Sequence, residues 1–296
     1  MKISIKNNQL TAVIDSRGAE LVSLRKTSTN REYIWEGNPT FWGKHSPVLF
    51  PIVGTLKNNQ YQYKNKTYTL PRHGFARDCE FELISKTDSS AVFSLQASAA
   101  TKSIYPFDFE LQIHYTLEEN ELVIAYQIFN KTNDIMPFSI GAHPAFALSE
   151  NFENYALAFE FEEDLKSYSL ENDLLSEKTT AIPMDKNEVA LTYSLFENDA
   201  LIFKTLQSKK MAILENGKPI LNFHFKDFDN FGIWTKLNAP FICLEPWLGY
   251  SDVLTSNGNL EDKEGIQLLE AQKTFHSHFK IEMFSDRKST RLNSSH

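Results

Sequence analysis

The chain of 296 residues has little cysteine and no long apolar run. Its two cysteines, Cys79 and Cys243, are too few for a secreted disulfide scaffold, so the sequence predicts a reducing, cytoplasmic location. No stretch approaches the ~18 apolar residues of a membrane helix, and the segment from Met1 to Lys6 lacks the apolar core of a signal peptide. We therefore expect neither membrane anchoring nor secretion.

Positive charge is also in short supply. The 30 basic residues are outnumbered by 38 acidic ones, which gives a formal net charge of −8. No run of Lys and Arg is interleaved with aromatic residues, and this balance argues against nucleic acids and anionic membranes as partners. We expect a monomer or homodimer that binds a small molecule.

Several motifs of catalysis and ligand binding are absent from the sequence. It has no glycine-rich nucleotide loop, no Gly-x-Ser-x-Gly hydrolase elbow, no paired-cysteine site and no helical His-Glu-x-x-His. His276 and His278 have the spacing that places both on one face of a strand, but no third ligand is near them in sequence. We expect neither a metal nor another cofactor.

Aromatic residues and a two-residue apolar period are abundant. Alternation from Phe109 to Leu117 and again from Leu122 to Ile128 predicts a long antiparallel hairpin with one buried face. Similar patterns predict hairpins around residues 64–66, 87–90 and 216–217, and a final strand over 275–283. The acidic segment 150–175 is expected to hold a short helix or a long loop.

These patterns predict an all-β fold, a large antiparallel β-sandwich, because amphipathic helices do not alternate with the strands. We expect a single β-sandwich domain over residues 1–285 that carries the sugar-binding and catalytic site. Residues 286–296 are polar and basic, which predicts a disordered tail. Their composition is also typical of a segment that is not native to the gene.

Two titratable residues stand in apolar, proline-marked surroundings. His143 precedes Pro144 at a predicted strand end, where binding loops begin, and can titrate near neutrality. Glu245 ends the apolar run 241–244 and precedes Pro246, where a carboxylate is costly unless it is paired or catalytic. The alternatives are a structural histidine and a buried glutamate paired with backbone amides or with Arg77.

Four more residues are candidates for ligand binding. Trp247 offers a flat apolar face that suits a sugar ring, or it packs in the core. His73 and Arg77 flank a glycine and are good donors to hydroxyl groups. Asp199 precedes an apolar strand, where it either accepts hydrogen bonds from hydroxyls or serves a turn.

The ordered set of clusters resembles the aldose 1-epimerase (galactose mutarotase-like) family, in particular its LacX-like branch. The resemblance covers Lys2 to about Phe284. The clusters are Ser46–Gly54, Pro71–Arg77, Tyr105–Phe107, Gly141–Phe146, Asn198–Ala200, Gly232–Thr235 and Cys243–Gly249.

The resemblance implies a β-sandwich of the supersandwich type, with a sugar in an open cleft and no cofactor. His143 resembles the family's general acid, which protonates the ring oxygen. Glu245 resembles the general base, which takes the proton of the anomeric hydroxyl. His73 is similar to the second ring-facing histidine, and Asp199 to the carboxylate that holds sugar hydroxyls.

One position departs from the family pattern. Many relatives carry an arginine that reaches the sugar where this chain has Thr55, and a threonine cannot make that charged bidentate contact. Arg77 or Lys57 is expected to substitute, or the substrate differs.

Three functions remain open from the sequence. The first is a mutarotase, an isomerase that interconverts the anomers of a free aldose. The second is a sugar-binding or regulatory protein without turnover, which the loss of the arginine at Thr55 motivates. The third is a mutarotase for a phosphorylated sugar, which needs a cationic rim such as Lys44, Lys57, Arg72 and Arg77.

Overall fold

The computed structural model describes residues 1–284, and its regular secondary structure is mostly β. Its one α-helix in that range, α1, spans Ala99–Ile104 and begins with a reciprocal cap between Ser98 and Thr101. The strands, in chain order from β1 to β24, are Lys2–Lys6, Leu10–Asp15, Glu20–Lys26, Val48–Leu49, Gln60–Tyr63, Lys66–Thr69, Glu82–Lys86, Ser90–Gln96, Phe109–Glu118, Glu121–Asn130, Met136–Phe138, Ile140–Ala142, Ala145–Ala147, Tyr155–Phe159, Lys166–Glu171, Leu174–Ala181, Glu188–Ala190, Leu201–Phe203, Lys210–Glu215, Lys218–His224, Asn230–Trp234, Phe241–Leu248, Gln267–Leu269 and Thr274–Met283.

Short 3₁₀ helices complete the described elements. They span Lys57–Asn59, Ala76–Asp78, Phe152–Asn154, Tyr193–Phe196 and Leu260–Asp262. Within residues 1–284, no helix combines the length and the apolar character needed to cross a membrane. The tail predicted for residues 286–296 lies outside the described part of the chain.

The predicted hairpins are confirmed. In β9 and β10 buried and partly exposed residues alternate, as expected for strands with one face on a core. Asn216 and Gly217 both adopt positive φ angles, 50° and 71°, between β19 and β20. That backbone is what a two-residue hairpin turn of this twist requires.

Two large antiparallel sheets pack face to face. The first has nine strands in the order β17-β14-β19-β20-β24-β10-β9-β8-β7, and the second has the order β18-β21-β22-β12-β4, with β13 also pairing β22. Phe223 of β20 contacts Phe146 of β13 and Phe231 of β21 across the two sheets, at ring-centroid distances of 5.8 and 6.1 Å. The all-β antiparallel sandwich is therefore confirmed.

The prediction for residues 150–175 is only partly confirmed. The segment holds a short helix, the 3₁₀ helix Phe152–Asn154, but most of the remainder forms strands that were not predicted: β14, β15 and the start of β16. In β14 the residues Tyr155, Leu157 and Phe159 are buried and alternate with less buried ones. The alternation covers only five residues, and the acidic residues on either side of it concealed the strand in the sequence.

Strand β22 is buried on both faces, which explains its nearly continuous apolar sequence. Ile242 and Leu244 belong to the main core between the sheets. The alternate residues point the other way, so that Glu245 and Trp247 line an open cleft on the outer side of the second sheet.

Candidate active site

Strand pairing brings His143 and Glu245 together although about a hundred residues separate them. Strands β12 and β13 both pair with β22, with residue 141 opposite 247 and residue 145 opposite 243. The interruption between β12 and β13 therefore falls opposite Glu245, and His143 occupies it. His143 Nε2 lies 3.3 Å from Glu245 Oε2. Pro144 keeps the strands together there, since its carbonyl accepts the Leu244 N–H at 3.2 Å.

Aromatic rings enclose this pair. Only 8% of His143 and 2% of Glu245 are exposed. The Trp42 ring stacks on the His143 imidazole with a centroid distance of 4.7 Å and an interplanar angle of 27°. Trp234 meets the same imidazole edge-on at 5.7 Å. The rings fix the orientation of His143 and exclude water from it.

Burial favours the uncharged form of both groups. It lowers the pKa of His143 to about 3, and the positive charges of Arg77 and Arg72 act in the same direction. Burial also raises the pKa of Glu245 well above its ordinary value; Arg72 opposes this change and Asp199 adds to it. Both pKa shifts favour the neutral form of the pair over an ion pair.

His73 is held as a neutral donor. Its Nδ1 accepts the Gly54 backbone N–H at 3.1 Å, so the neutral ring carries its proton on Nε2. Arg72 Nε lies 3.3 Å from that Nε2. Two N–H groups cannot donate to one another, so we assign this approach as a close contact. Burial, reinforced by the charges of His143, Arg72 and Arg77, lowers the pKa of His73 well below its ordinary value.

The pair opens into a cleft of about 570 Å³, within the range of small-molecule sites. Six of the predicted site residues line it, and two do not. Those that line it are His73, Arg77, His143, Asp199, Glu245 and Trp247.

Thr55 and Lys57 are not among the lining residues. The Thr55 side chain is buried, and its backbone N–H donates to Ser251 Oγ at 3.0 Å. The Lys57 ammonium donates to the carbonyls of Leu254 and Ser256 at 2.9 and 3.3 Å. Both residues fasten the loop that follows β22, and Lys57 does not replace the missing arginine at the cleft.

Arg72 occupies the cleft instead. Its side chain is 44% exposed and lines the cleft, while its guanidinium lies 3.2 Å from Asp173. Arg77 is more deeply buried and donates to the Arg72 carbonyl at 2.8 Å. Asp199 has a strained φ of 87° and accepts its neighbour's N–H, that of Ala200, on Oδ1 at 2.7 Å.

Two glycines make room for the Trp247 indole. Gly141 and Gly232 lie on the strands either side of β22 and are the pairing partners of Trp247 and Glu245. A Cβ at Gly141 would come within 2.7 Å of the Trp247 ring, and a Cβ at Gly232 within 2.4 Å. The indole therefore lies flat across its neighbours and faces the cleft.

Sequence reasoning missed the roles of Trp42 and Trp234 in enclosing His143. Trp234 lies at the end of β21, inside the cluster Gly232–Thr235 that contributes to the family resemblance. Trp42 lies in the irregular segment between β3 and β4, where no period predicts the direction of a side chain. Its one signal is a second tryptophan close to Trp35 in a segment containing Pro39 and Gly43.

Comparisons with known proteins identify the family. The family model described as aldose 1-epimerase matches residues 1–266. Protein LacX (plasmid) of Lactococcus lactis subsp. lactis is 35% identical over 279 residues, which cover 89% of this chain and 93% of that protein.

Solved structures show the same fold. A galactose mutarotase related enzyme from Lactobacillus acidophilus superposes with a TM-score of 0.91 at 35% identity, over 96% of this chain and 98% of that one. A galactose mutarotase-like protein from Lactobacillus casei gives 0.90 at 31% identity, over 96% and 100%. With matches that span the two sheets and the cleft alike, the chain belongs to the aldose 1-epimerase family.

Proposed function

We propose that the protein is a mutarotase that interconverts the α and β anomers of an aldose by opening its ring. The observation that carries this proposal is the His143–Glu245 pair at 3.3 Å, buried at the base of a sugar-sized cleft. Ring opening needs one group to take the proton of the anomeric hydroxyl and another to protonate the ring oxygen. Glu245 and His143 serve as that base and that acid.

The protonation state of the pair supports this chemistry. Opening the ring moves one proton onto Glu245 and one proton off His143, so it converts an ion pair into a neutral pair. Burial favours the neutral pair, as the pKa directions of both residues show. Ring opening in this sense therefore starts from the ion pair, which burial makes the less favoured form, and the proton transfers proceed toward the favoured neutral pair. The open aldehyde turns about its C1–C2 bond, and the two groups exchange roles to close the ring on the other face.

The remaining cleft residues hold the sugar. His73 presents Nε2–H toward the ring, Asp199 accepts hydroxyl groups, and Trp247 supplies an apolar face for the sugar C–H groups. Arg72 and Arg77 provide the cationic contacts that Thr55 cannot. Each of these roles predicts a rise in KM on substitution, with a smaller change in kcat than at the catalytic pair.

The experiment is anomer interconversion followed by polarimetry, with galactose and glucose as probes. We expect catalysis by the wild type and a loss of about 10²–10⁴-fold in Glu245→Gln and in His143→Gln. The matched control, His276→Gln, alters an exposed histidine on the nine-stranded sheet and should retain the wild-type rate. Equal rates in all four proteins would contradict the assigned roles. Sugar binding in calorimetry without catalysed exchange would instead favour the non-catalytic binding protein.

A phosphorylated sugar is the second candidate substrate. Three basic residues, Arg72, Arg77 and Lys236, line the cleft. They outnumber its two acidic residues, Asp199 and Glu245. A hexose phosphate should then have a kcat/KM at least tenfold above that of the free hexose, with the advantage decreasing as salt increases. Equal kcat/KM values for the two sugars would exclude this substrate.

A cytoplasmic location is also part of the proposed function, since both cysteines are free thiols.

A further inference from the structure

A third metal-ligating side chain lies beside the catalytic pair. The Cys243 thiol, the imidazole of His143 and the carboxylate of Glu245 present nitrogen, sulfur and oxygen atoms that all lie within 4.8 Å of one another. Cys243 is two residues before Glu245 on β22 and therefore points to the same side of the sheet. Cys243 packs in a buried cluster with Ala145 and Phe241, next to the catalytic pair, and does not itself line the cleft.

The spacing of these atoms suits a tetrahedral ion. Two ligands at roughly 2.0–2.1 Å from zinc lie about 3.3 Å apart at a tetrahedral angle. The measured separation of His143 Nε2 and Glu245 Oε2 is 3.3 Å. A thiolate and an imidazole on the same ion would be about 3.5 Å apart, so Cys243 must approach by at most about 1.3 Å.

We propose that His143, Cys243 and Glu245 form an inhibitory site for a thiophilic divalent cation, with Zn²⁺ as the best fit. Mixed nitrogen, sulfur and oxygen ligands suit zinc and disfavour Mg²⁺ and Ca²⁺, which take oxygen. Three protein ligands leave the fourth position open toward the cleft for water. Two protons are released to solvent when the ion binds, one from the thiol and one from the His143–Glu245 pair.

The ion and the sugar exclude one another. The ion uses the lone pairs of His143 and Glu245 that the proposed mutarotation needs for proton transfer. Zn²⁺ is thus expected to inhibit competitively with the sugar, while Mg²⁺ has no effect. This consequence rests on the proposed function, whereas binding of the ion does not.

Binding is tested first, without an activity assay. Titration of the full chain with CdCl₂ should produce the ultraviolet charge-transfer band of a cadmium thiolate, with one ion per chain. Cys79→Ser should keep the band, because Cys79 is not part of the site. Cys243→Ser and Cys243→Ala should lose it. The band is blind to the second cluster of nitrogen and oxygen ligands, Glu121, His224 and Glu282, on the other sheet.

Affinity for ZnCl₂ is then measured by calorimetry with competing chelator. We expect Cys243→Ala to bind at least about 100-fold more weakly, since even outer-shell partners of zinc ligands contribute 10–100-fold. Circular dichroism establishes that each variant is folded, and His143→Gln provides a second variant that should lose the same affinity. A cadmium thiolate band that persists in Cys243→Ala, or equal Zn²⁺ affinity in all variants, would overturn the proposal.

Inhibition is measured last. Mutarotation with and without ZnCl₂ is compared within each protein, and Cys243→Ala should lose at least tenfold in sensitivity to Zn²⁺. Catalysis by the wild type with no metal binding would refute the metal site and leave the mutarotase intact. Metal binding with no catalysis in any condition would do the reverse.

Discussion

The protonation state of His143 can be measured through the stability of the fold. Burial lowers the pKa of His143 to about 3, whereas an unfolded histidine titrates near about 6.5. Below about pH 6.5 the unfolded chain therefore binds a proton at His143 that the folded chain does not. The free energy of unfolding must decrease as the pH falls through this range, because the unfolded state binds more protons.

The magnitude follows from the two pKa values. One pKa unit corresponds to about 1.4 kcal/mol, so the full effect is about 5 kcal/mol and is reached only below about pH 3. Between pH 8 and pH 5 the cost is about 2 kcal/mol. His143→Gln removes the titrating group and keeps a polar side chain of similar length. The wild type should lose about 2 kcal/mol relative to this variant over that interval.

The assay is urea unfolding followed by tryptophan fluorescence at pH 5, 6, 7 and 8, plotted as wild type minus variant. His276→Gln, at an exposed position, is the control and should give a flat difference. If the difference in unfolding free energy between the wild type and His143→Gln does not change with pH, the conclusion that burial keeps the His143 imidazole neutral is refuted. A wild type that loses stability relative to the variant as pH rises would show that Glu245 is ionised and holds His143 as its cation.

Three further predictions follow from burial, packing and charge. Because burial raises the pKa of Glu245, the wild type loses stability as pH rises above the unfolded pKa of about 4.3 and until the folded pKa is passed. Glu245→Gln should therefore gain stability relative to the wild type as pH rises from about 5 in urea unfolding, and a constant difference would contradict the raised pKa. Gly232→Ala places a Cβ within 2.4 Å of the Trp247 ring, so it should cost about 1–3 kcal/mol in thermal unfolding and raise KM for the sugar; unchanged values of both would show that the indole moves freely. Lys263 and Asp252 form a buried ion pair at 3.1 Å, so Lys263→Met should cost about 3–5 kcal/mol by urea unfolding, while a double replacement with apolar residues should recover much of it; a loss under 1 kcal/mol would contradict the buried pair.

Local patterns predicted the long hairpins and the final strand correctly. The hairpins of β9 with β10 and of β19 with β20 are encoded by apolar alternation and by the turn residues Asn216 and Gly217. The strands within residues 150–175 were missed because they are short and their alternation is masked by acidic neighbours. Short periods in polar surroundings are weak signals, since tertiary packing decides which of them form strands.

The candidate site was only partly predictable for a physical reason. His143 and Glu245 were identifiable because a titrating group in an apolar segment is costly. Their distance depends on β12 and β13 pairing with the same strand, which is a long-range fact of sheet order. The direction in which side chains point from an irregular segment likewise depends on long-range packing. For this reason Trp42 was missed. For the same reason Lys57, three residues after the cleft residue Gly54, was placed at the cleft although it binds carbonyls of a neighbouring loop.

The most direct test of a joint role for His143 and Glu245 is the exchange rate between sugar anomers, measured by two-dimensional NMR exchange spectroscopy. The rates are compared among the wild type, His143→Gln, Glu245→Gln and the double variant. If the two residues act as one proton-transfer unit, each single variant loses about 10²–10⁴-fold and the double variant loses no more than the worse single one. Losses that multiply in the double variant, or a wild-type rate in either single variant, would contradict that joint role.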